Sequence, residues 1–491
     1  MVYSLLYDKL TPVALYSQLK LAFGDKITML FESAINNEDG NFSFITIGAK
    51  ERITYKNNIT IYTNSNKEVK ELNKSPFDFL KEYYSNIDKS RYKDIANKLG
   101  FNYIDGFIGY IGYDMVKVFE PTLKKVMDKL EDETNIPDLD MVRPELIIVF
   151  AHKKSKLYIL DYDNTQKELV DNVFDLLSEP IKDFELKKAN LSEGEFAIDK
   201  DEFMKIVEMA KEHIRAGDVF QMLPSNRFTQ KGYVDPLSFY RVLRSTNPSP
   251  YMFLLDFNDF VICGSSPEVM VRLTDGEILL RPIAGTRKRG KTAQQDYEME
   301  QELINDPKEK AEHLMLIDLG RNDVGRVAKV GTVKVQDMMH VERYSHVMHM
   351  VSDVVAKIRD DKDMFDLFAS TFTAGTMTGA PKIKAMELIA KYEKLKRGFY
   401  SGSVGYFSFT KDMDSAIAIR TALLLKDRVI LQAGAGVVAD SIPKLEELEV
   451  RNKLMALVKT LQDLQNLDEN QKLPLLEEID TWKSLQYLVI R

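Results

Sequence analysis

One cysteine, Cys263, stands in a chain of 491 residues, so no intramolecular disulfide can form and a reducing compartment is expected. No apolar run approaches the ~18 residues that a membrane span requires, so no membrane partner is expected. The stretch Met1-Val-Tyr-Ser-Leu-Leu-Tyr7 lacks the basic start and small-residue cleavage site of a secretory signal. An excess of positive charge is also missing. Lys and Arg total 67 against 75 Asp and Glu, a formal net charge of -8, which argues against nucleic acid as the main partner. Internal repeats and low-complexity segments are absent too. What remains, 44% hydrophobic and 29% charged, is the balance of a soluble globular protein, expected in the cytoplasm. Its length suits two or three ordinary domains or one large one.

Strand-like segments dominate the readable pattern. Pro144–Ala151 and Leu157–Asp161 flank the polar turn 153–156 and predict a hairpin. Residues 179–196 are polar without a period and read as a linker. Beyond them, Phe203, Ile206, Val207, Ala210 and Ile214 recur at helical spacing, and Gly217 is a natural terminator. Strands are expected at Tyr251–Asp256, Phe260–Cys263, Val269–Leu273 and Glu277–Leu280, the last two joined by the turn Thr274-Asp275-Gly276. Strands joined by such short turns imply antiparallel sheet and an α+β fold, not a βαβ dinucleotide fold. Helices are expected at Pro307–Gly320, Asp363–Ala369, Pro381–Tyr392 and Pro443–Leu461. The tail 462–491 holds the only tryptophan, Trp482, and suggests no chemistry.

Glu309 and Glu312 are three apart in one predicted helix, and Glu446 and Glu449 repeat the spacing in another. Either pair alone is most simply a solvated helix face. Context changes the weighting. Glu312 precedes the apolar His313-Leu-Met-Leu-Ile-Asp-Leu319, and Glu449 is followed by the cations of Arg451-Asn-Lys453. Converging carboxylates with oxygen-only ligation suit Mg²⁺. Gly434-Ala-Gly436 matches G-x-G-x-x-A after a strand, yet Asp440-Ser-Ile-Pro443 delays the next helix and supplies its cap. A backbone loop that approaches a small anion is the better reading. The loops 282–287 and 373–382 also combine glycine, threonine hydroxyl and a nearby cation. Arg420, among the apolar residues 417–421, calls for a carboxylate partner. His346 and His349 alternate with valines as on a strand, which puts them on opposite faces and disfavours a zinc site. For His349 itself, packing and acid–base work are equally compatible with the pattern.

Together, Pro282-Ile-Ala-Gly-Thr-Arg287, Ala311-Glu-His-Leu-Met-Leu-Ile-Asp-Leu-Gly-Arg-Asn-Asp323, Glu342-Arg-Tyr-Ser-His-Val-Met-His349, Gly375-Thr-Met-Thr-Gly-Ala-Pro-Lys382 and Gln432-Ala-Gly-Ala-Gly-Val-Val-Ala-Asp440 occur in the order seen in chorismate-utilising enzymes. The chain resembles, among them, the large subunit of anthranilate synthase, component I. The likeness is strong over residues 200–460 and looser before them. Relatives that add water to chorismate carry a lysine base where Gln221 stands, and a neutral amide cannot play that part. Aminodeoxychorismate synthases carry a nucleophilic lysine where Ala284 stands. Both departures favour the anthranilate branch over its runner-up, aminodeoxychorismate synthase. A non-catalytic tryptophan sensor is the alternative from another class.

The resemblance implies an α/β/β/α layered core and three parts: residues 1–180 with a tryptophan-binding element, a catalytic part 197–461, and the tail 462–491. It implies ammonia attack on chorismate, loss of a hydroxyl and elimination of pyruvate, with Mg²⁺ held by Glu312 and Glu449 and supported by Glu309 and Glu446. Glu268 is the expected general acid, His349 its neighbour, and Gln221 lies at the reaction centre. Gly285, Thr286, Thr376, Tyr400, Arg420, Gly434, Ala435, Gly436 and Lys453 are expected to bind substrate. Ser33, Pro250, Tyr251 and Met252 match the family's site for tryptophan as feedback inhibitor, with Phe31 where leucine is usual. Cys263 has no glutaminase motif around it, so ammonia is expected from a separate glutamine amidotransferase subunit in a hetero-oligomer, a hetero-tetramer by analogy.

Overall fold

The computed structural model describes residues 1–33, 41–180, 184–344 and 347–467. Two large antiparallel sheets form its centre. The first runs, edge to edge, through strands Val2–Leu6, Lys156–Leu160, Leu146–Ala151, Phe42–Ile47, Thr28–Glu32, Tyr251–Asp256, Val261–Ser266, Thr421–Leu424, Arg428–Gly434, Ser225–Tyr233 and Asn190–Phe196. In the second, Ile283–Lys288, Val347–Lys357, Glu277–Leu280, Val269–Thr274, Met413–Ile417 and Ser403–Ser408 lead into Gly106–Ile111, Leu139–Arg143 and Glu51–Lys56. Each sheet thus mixes strands from both sides of residue 180. The segments 1–180 and 197–461 are interleaved and not separately folded.

Alternation along the strands builds the layers. In Tyr251–Asp256, Phe253 and Leu255 join the core between the sheets, while Met252 and Leu254 face the helices. The outer helices on that side are Pro12–Ala22, Lys167–Ser178, Lys200–Arg215, Pro236–Thr246 and Pro443–Gln465. Across the second sheet, Pro76–Ser85 and Met364–Thr371 pack aromatic side chains onto Phe407. The expected α/β/β/α order of layers is present.

Two expected helices run a turn or more further than the pattern suggested. The helix starting at Pro307 runs to Gly325, and the one starting at Pro443 runs to Gln465, past the expected start of the tail. Trp482 and His346 lie outside the described residues. The expected linker 179–196 contains a strand, Asn190–Phe196, paired with Ser225–Tyr233. Its polar composition concealed it because it is an edge strand with most side chains in solvent. Asp440 and Ser441 do not cap the last helix. Ile442 occupies the cap, and Ser441 Oγ instead accepts the Val438 N–H at 3.0 Å.

Phe368 is fully buried, stacked on Phe77 at 5.7 Å and in edge contact with Phe407 at 5.5 Å. Phe368→Ala should cost about 3–5 kcal/mol. A urea-unfolding midpoint equal to that of the parent would show that this ring does not carry the outer layer.

Candidate active site

Asp306 caps the helix Pro307–Gly325 by accepting the Lys308 and Glu309 N–H groups at 2.9 and 3.2 Å. That fixes the face carrying Glu309 and Glu312. Glu309 pairs with Arg287 at 2.9 Å, Glu312 accepts a hydrogen bond from Gln221 Nε2 at 2.9 Å, and Glu449 pairs with Lys453 at 2.7 Å. Burial raises the pKa of Glu312, and repulsion from Glu309 and Glu449 adds to it while the Gln221 hydrogen bond opposes. Glu446 is raised by burial and again by Glu449. The two helices therefore bring the four carboxylates within each other's influence, Glu312 feeling Glu309 and Glu449, and Glu446 feeling Glu449.

Two glycines let the loop after strand Arg428–Gly434 close on this group. A Cβ on Gly434 would lie 2.7 Å from the Pro224 carbonyl oxygen, and one on Gly436 would lie 2.8 Å from Gln221 Nε2. The Gly434 carbonyl accepts from Lys453 Nζ at 2.9 Å, and its N–H hydrogen-bonds the Tyr400 hydroxyl, whose pKa burial pushes up to about 12. Ala435 uses its own N–H on the Pro224 carbonyl at 3.1 Å. It shapes the loop without offering that donor to a ligand.

A second group adjoins the first. Glu268 is buried, and its Oε1 accepts from the Thr376 hydroxyl at 2.9 Å. Burial pushes its carboxyl up to about 8, against the opposing influence of Thr376, Lys453 and Arg420. At neutral pH it is a protonated acid. His349 is pushed the other way, down to about 4, again chiefly by burial. Its Nδ1 lies 3.1 Å from both the Gly285 carbonyl and Thr286 Oγ1. A carbonyl only accepts, so Nδ1 carries the hydrogen and Nε2 is left as an acceptor. An acid and a neutral base held apart in pKa are the usual signature of divided proton-transfer roles.

Arg420 departs from its expected setting. It lies between strands Met413–Ile417 and Thr421–Leu424 in a left-handed conformation, φ 51°. Among the described residues no carboxylate hydrogen-bonds its guanidinium. Desolvation lowers its pKa, with the charge of Glu268 opposing. A desolvated, unpaired guanidinium is suited to a ligand's carboxylate.

The donor set of the four glutamates, oxygen throughout, fits a hard divalent cation that retains water. Among the described residues no three acidic or histidine side chains already close on one point. Glu312, which feels the charge of Glu449, could share such an ion with it.

The four residues expected to bind an inhibitor also come together, although away from the carboxylates. Ser33, Pro250 and Tyr251 line a cavity of about 380 Å³ between the sheets, with Phe31, Phe44 and Tyr406, and Met252 borders it although its side chain packs in the layer facing the helices. Tyr251 donates to Asp414 at 3.0 Å and accepts from Arg272 at 2.9 Å. Arg281, Glu342 and Tyr344 complete one wall. Sequence reading passed over these three. Each lies inside a motif singled out above or one residue before it, which was the available signal.

The sequence and the fold have counterparts. Residues 30–459 match the family of chorismate binding enzymes, and the chain belongs to that family. It is 42% identical over 482 residues to the anthranilate synthase component 1 of Acinetobacter calcoaceticus, covering 93% of this chain and 94% of that one. It is 40% identical over 480 residues to the protein of the same name from Aquifex aeolicus (strain VF5), covering 93% of each. The solved anthranilate synthase component I from Streptococcus pneumoniae TIGR4 superposes with a TM-score of 0.74 at 35% identity, over 86% of this chain and 93% of that one. The menaquinone-specific isochorismate synthase MenF from Escherichia coli shares the fold, with a TM-score of 0.71 at 18% identity over 94% of each chain.

Turnover that needs the Glu268 proton should be full at neutral pH and fall as pH rises through about 8. Glu268→Gln should lower kcat about a hundred- to ten-thousand-fold. A kcat–pH profile level across that range would exclude Glu268 as the acid.

Proposed function

We propose that the chain converts chorismate and ammonia to anthranilate and pyruvate, the first step of tryptophan biosynthesis. The reading rests above all on the buried, protonated Glu268 beside the unpaired guanidinium of Arg420. An acid that can protonate a leaving hydroxyl stands next to a cation that can hold a carboxylate. Chorismate carries two carboxylates and a ring hydroxyl.

Ammonia attacks C2, and Glu268 protonates the C4 hydroxyl, which departs as water. Loss of the C2 proton with cleavage of the enolpyruvyl ether then makes the ring aromatic, and the released enol takes up a proton to become pyruvate. Arg420, Thr286, Tyr400 and the Gly434–Gly436 loop bind the carboxylates, with Lys453 adding charge. Thr376 orients the Glu268 carboxyl through its 2.9 Å hydrogen bond. Magnesium held by Glu312 and Glu449, backed by Glu309 and Glu446, would supply Lewis-acid stabilisation and orient the ring carboxylate. Gln221 holds Glu312 and has no basic atom with which to activate water, so ammonia, already a nucleophile, is the co-substrate. Ala284 offers no amine for a covalent intermediate, which speaks against the aminodeoxychorismate route.

Ammonia comes from a separate glutaminase subunit in a cytoplasmic hetero-oligomer, a hetero-tetramer by analogy, in keeping with the name component 1 borne by the relatives. The buried Cys263 is no glutaminase nucleophile: burial drives its thiol pKa up, away from the reactive thiolate. Tryptophan occupies the cavity between the sheets as a feedback inhibitor.

The isolated chain should form fluorescent anthranilate from chorismate, Mg²⁺ and ammonium but not from glutamine. Activity with glutamine alone would overturn the need for a partner, and a para amine as product would point to the folate branch. Glu449→Gln should abolish Mg²⁺-dependent turnover with an unchanged circular-dichroism spectrum, and parent-like activity at saturating Mg²⁺ would remove Glu449 from the metal site. Ser33 substitutions should shift the tryptophan inhibition curve to higher concentration. Superimposable curves would contradict the assignment of the cavity.

A further inference from the structure

The inter-sheet cavity and the acid–base pair share a wall. Pro267 and Val269 line the cavity, while Glu268 between them turns to Thr376. On the neighbouring strands, His349 stands directly opposite Thr286 on one side and Glu342 on the other. Residues opposite each other in an antiparallel pair project from the same face. Glu342 is thus a close cross-strand neighbour of the His349 ring and also a lining residue of the cavity.

Tyr344 joins the two more tightly. Its hydroxyl donates to Glu342 Oε2 at 2.6 Å, and its ring lies edge-on to His349 with centroids 5.5 Å apart. It too faces the cavity. Arg281 holds Asp353 through two hydrogen bonds of 2.7 and 3.0 Å but reaches Glu342 only at 3.3 Å, and His340 reaches it at 3.4 Å. Both lie near the outer limit of a hydrogen bond. The other cavity carboxylates have shorter cation contacts, Glu32 with Arg244 at 2.9 Å and Asp414 with Arg272 at 3.2 Å. Of these carboxylates, Glu342 is the one hydrogen-bonded to Tyr344, whose ring lies against His349.

We propose that Tyr344 is a positioning residue for His349, and that the Glu342–Tyr344 hydrogen bond conveys occupation of the cavity to the reaction centre. A ligand that draws Glu342 toward itself competes with the Tyr344 hydroxyl, frees the ring and shifts the His349 imidazole away from Gly285 and Thr286. The inference rests on the reading of the cavity as a tryptophan site and gives that regulation a physical route.

The test uses the full chain with L-tryptophan as probe. The parent, Tyr344→Phe, Tyr344→Ala and Glu342→Gln are compared by tryptophan binding calorimetry, ammonium-dependent kinetics and imidazole NMR of histidine-labelled protein. His349→Asn identifies the His349 signal. In the parent, saturating tryptophan should move that signal and suppress kcat. Tyr344→Phe and Glu342→Gln should still bind tryptophan but lose at least half of the signal shift and leave residual turnover at saturation. Tyr344→Ala should lower kcat at least tenfold with the KM for chorismate within threefold, and Tyr344→Phe should restore kcat because it restores the ring. Parent-like signal shifts and complete inhibition in both Tyr344→Phe and Glu342→Gln overturn the proposal alone. A parent that binds no tryptophan overturns the cavity reading and this proposal with it. Should Tyr344→Ala fail to fold, the other two variants decide.

Discussion

Two broad antiparallel sheets laid face to face leave almost no strand residue free to choose its surroundings, and this constraint governs everything else in the molecule. Each strand sends one set of side chains into the shared interior and the other toward a helical layer, as Phe253 and Leu254 do on adjacent positions. The functional groups sit where that rule is turned to use. One short segment, Pro267-Glu-Val269, presents a cavity wall on one face and an acid on the other.

Exclusion of water then does much of the chemical work. The same loss of solvent that holds a carboxyl protonated at Glu268 holds an imidazole neutral at His349 and leaves the Arg420 guanidinium seeking a counter-charge. No exotic side chain is required. Common acids, bases and cations acquire opposed tendencies from where the sheets place them, and the glycines at 434 and 436 bring a backbone loop close enough to complete the enclosure.

Much of this was legible in the residues, and the failures have physical causes. Glu309, Glu312, Glu446 and Glu449 were readable because a spacing of three on a helix is a geometric statement that tertiary structure cannot undo. The strands at 251–256 and 277–280 appear at their expected bounds because short turns separate apolar runs. The strand at 190–196 escaped notice since an edge exposed to water needs no alternating pattern. Arg420 was expected on a strand, but it sits between two strands in a left-handed conformation, which no apolar run of residues announces. Arg281, Glu342 and Tyr344 acquire meaning only from the cavity they border, and a cavity is a property of packed layers, not of any local run.

The order of strands in space carries a further consequence for the birth of the molecule. Thr28–Glu32 waits for Tyr251–Asp256 to become its neighbour, and nothing synthesised in between can take that place in the finished sheet. At translation speeds of roughly 5–20 residues per second, the unpaired flank stays open for about ten to forty seconds on the ribosome. An uncovered edge of apolar strands is the surface on which chains adhere to one another. The interleaving that shields the chemistry in the finished enzyme therefore leaves its nascent chain with an open strand edge until residue 256 has been made.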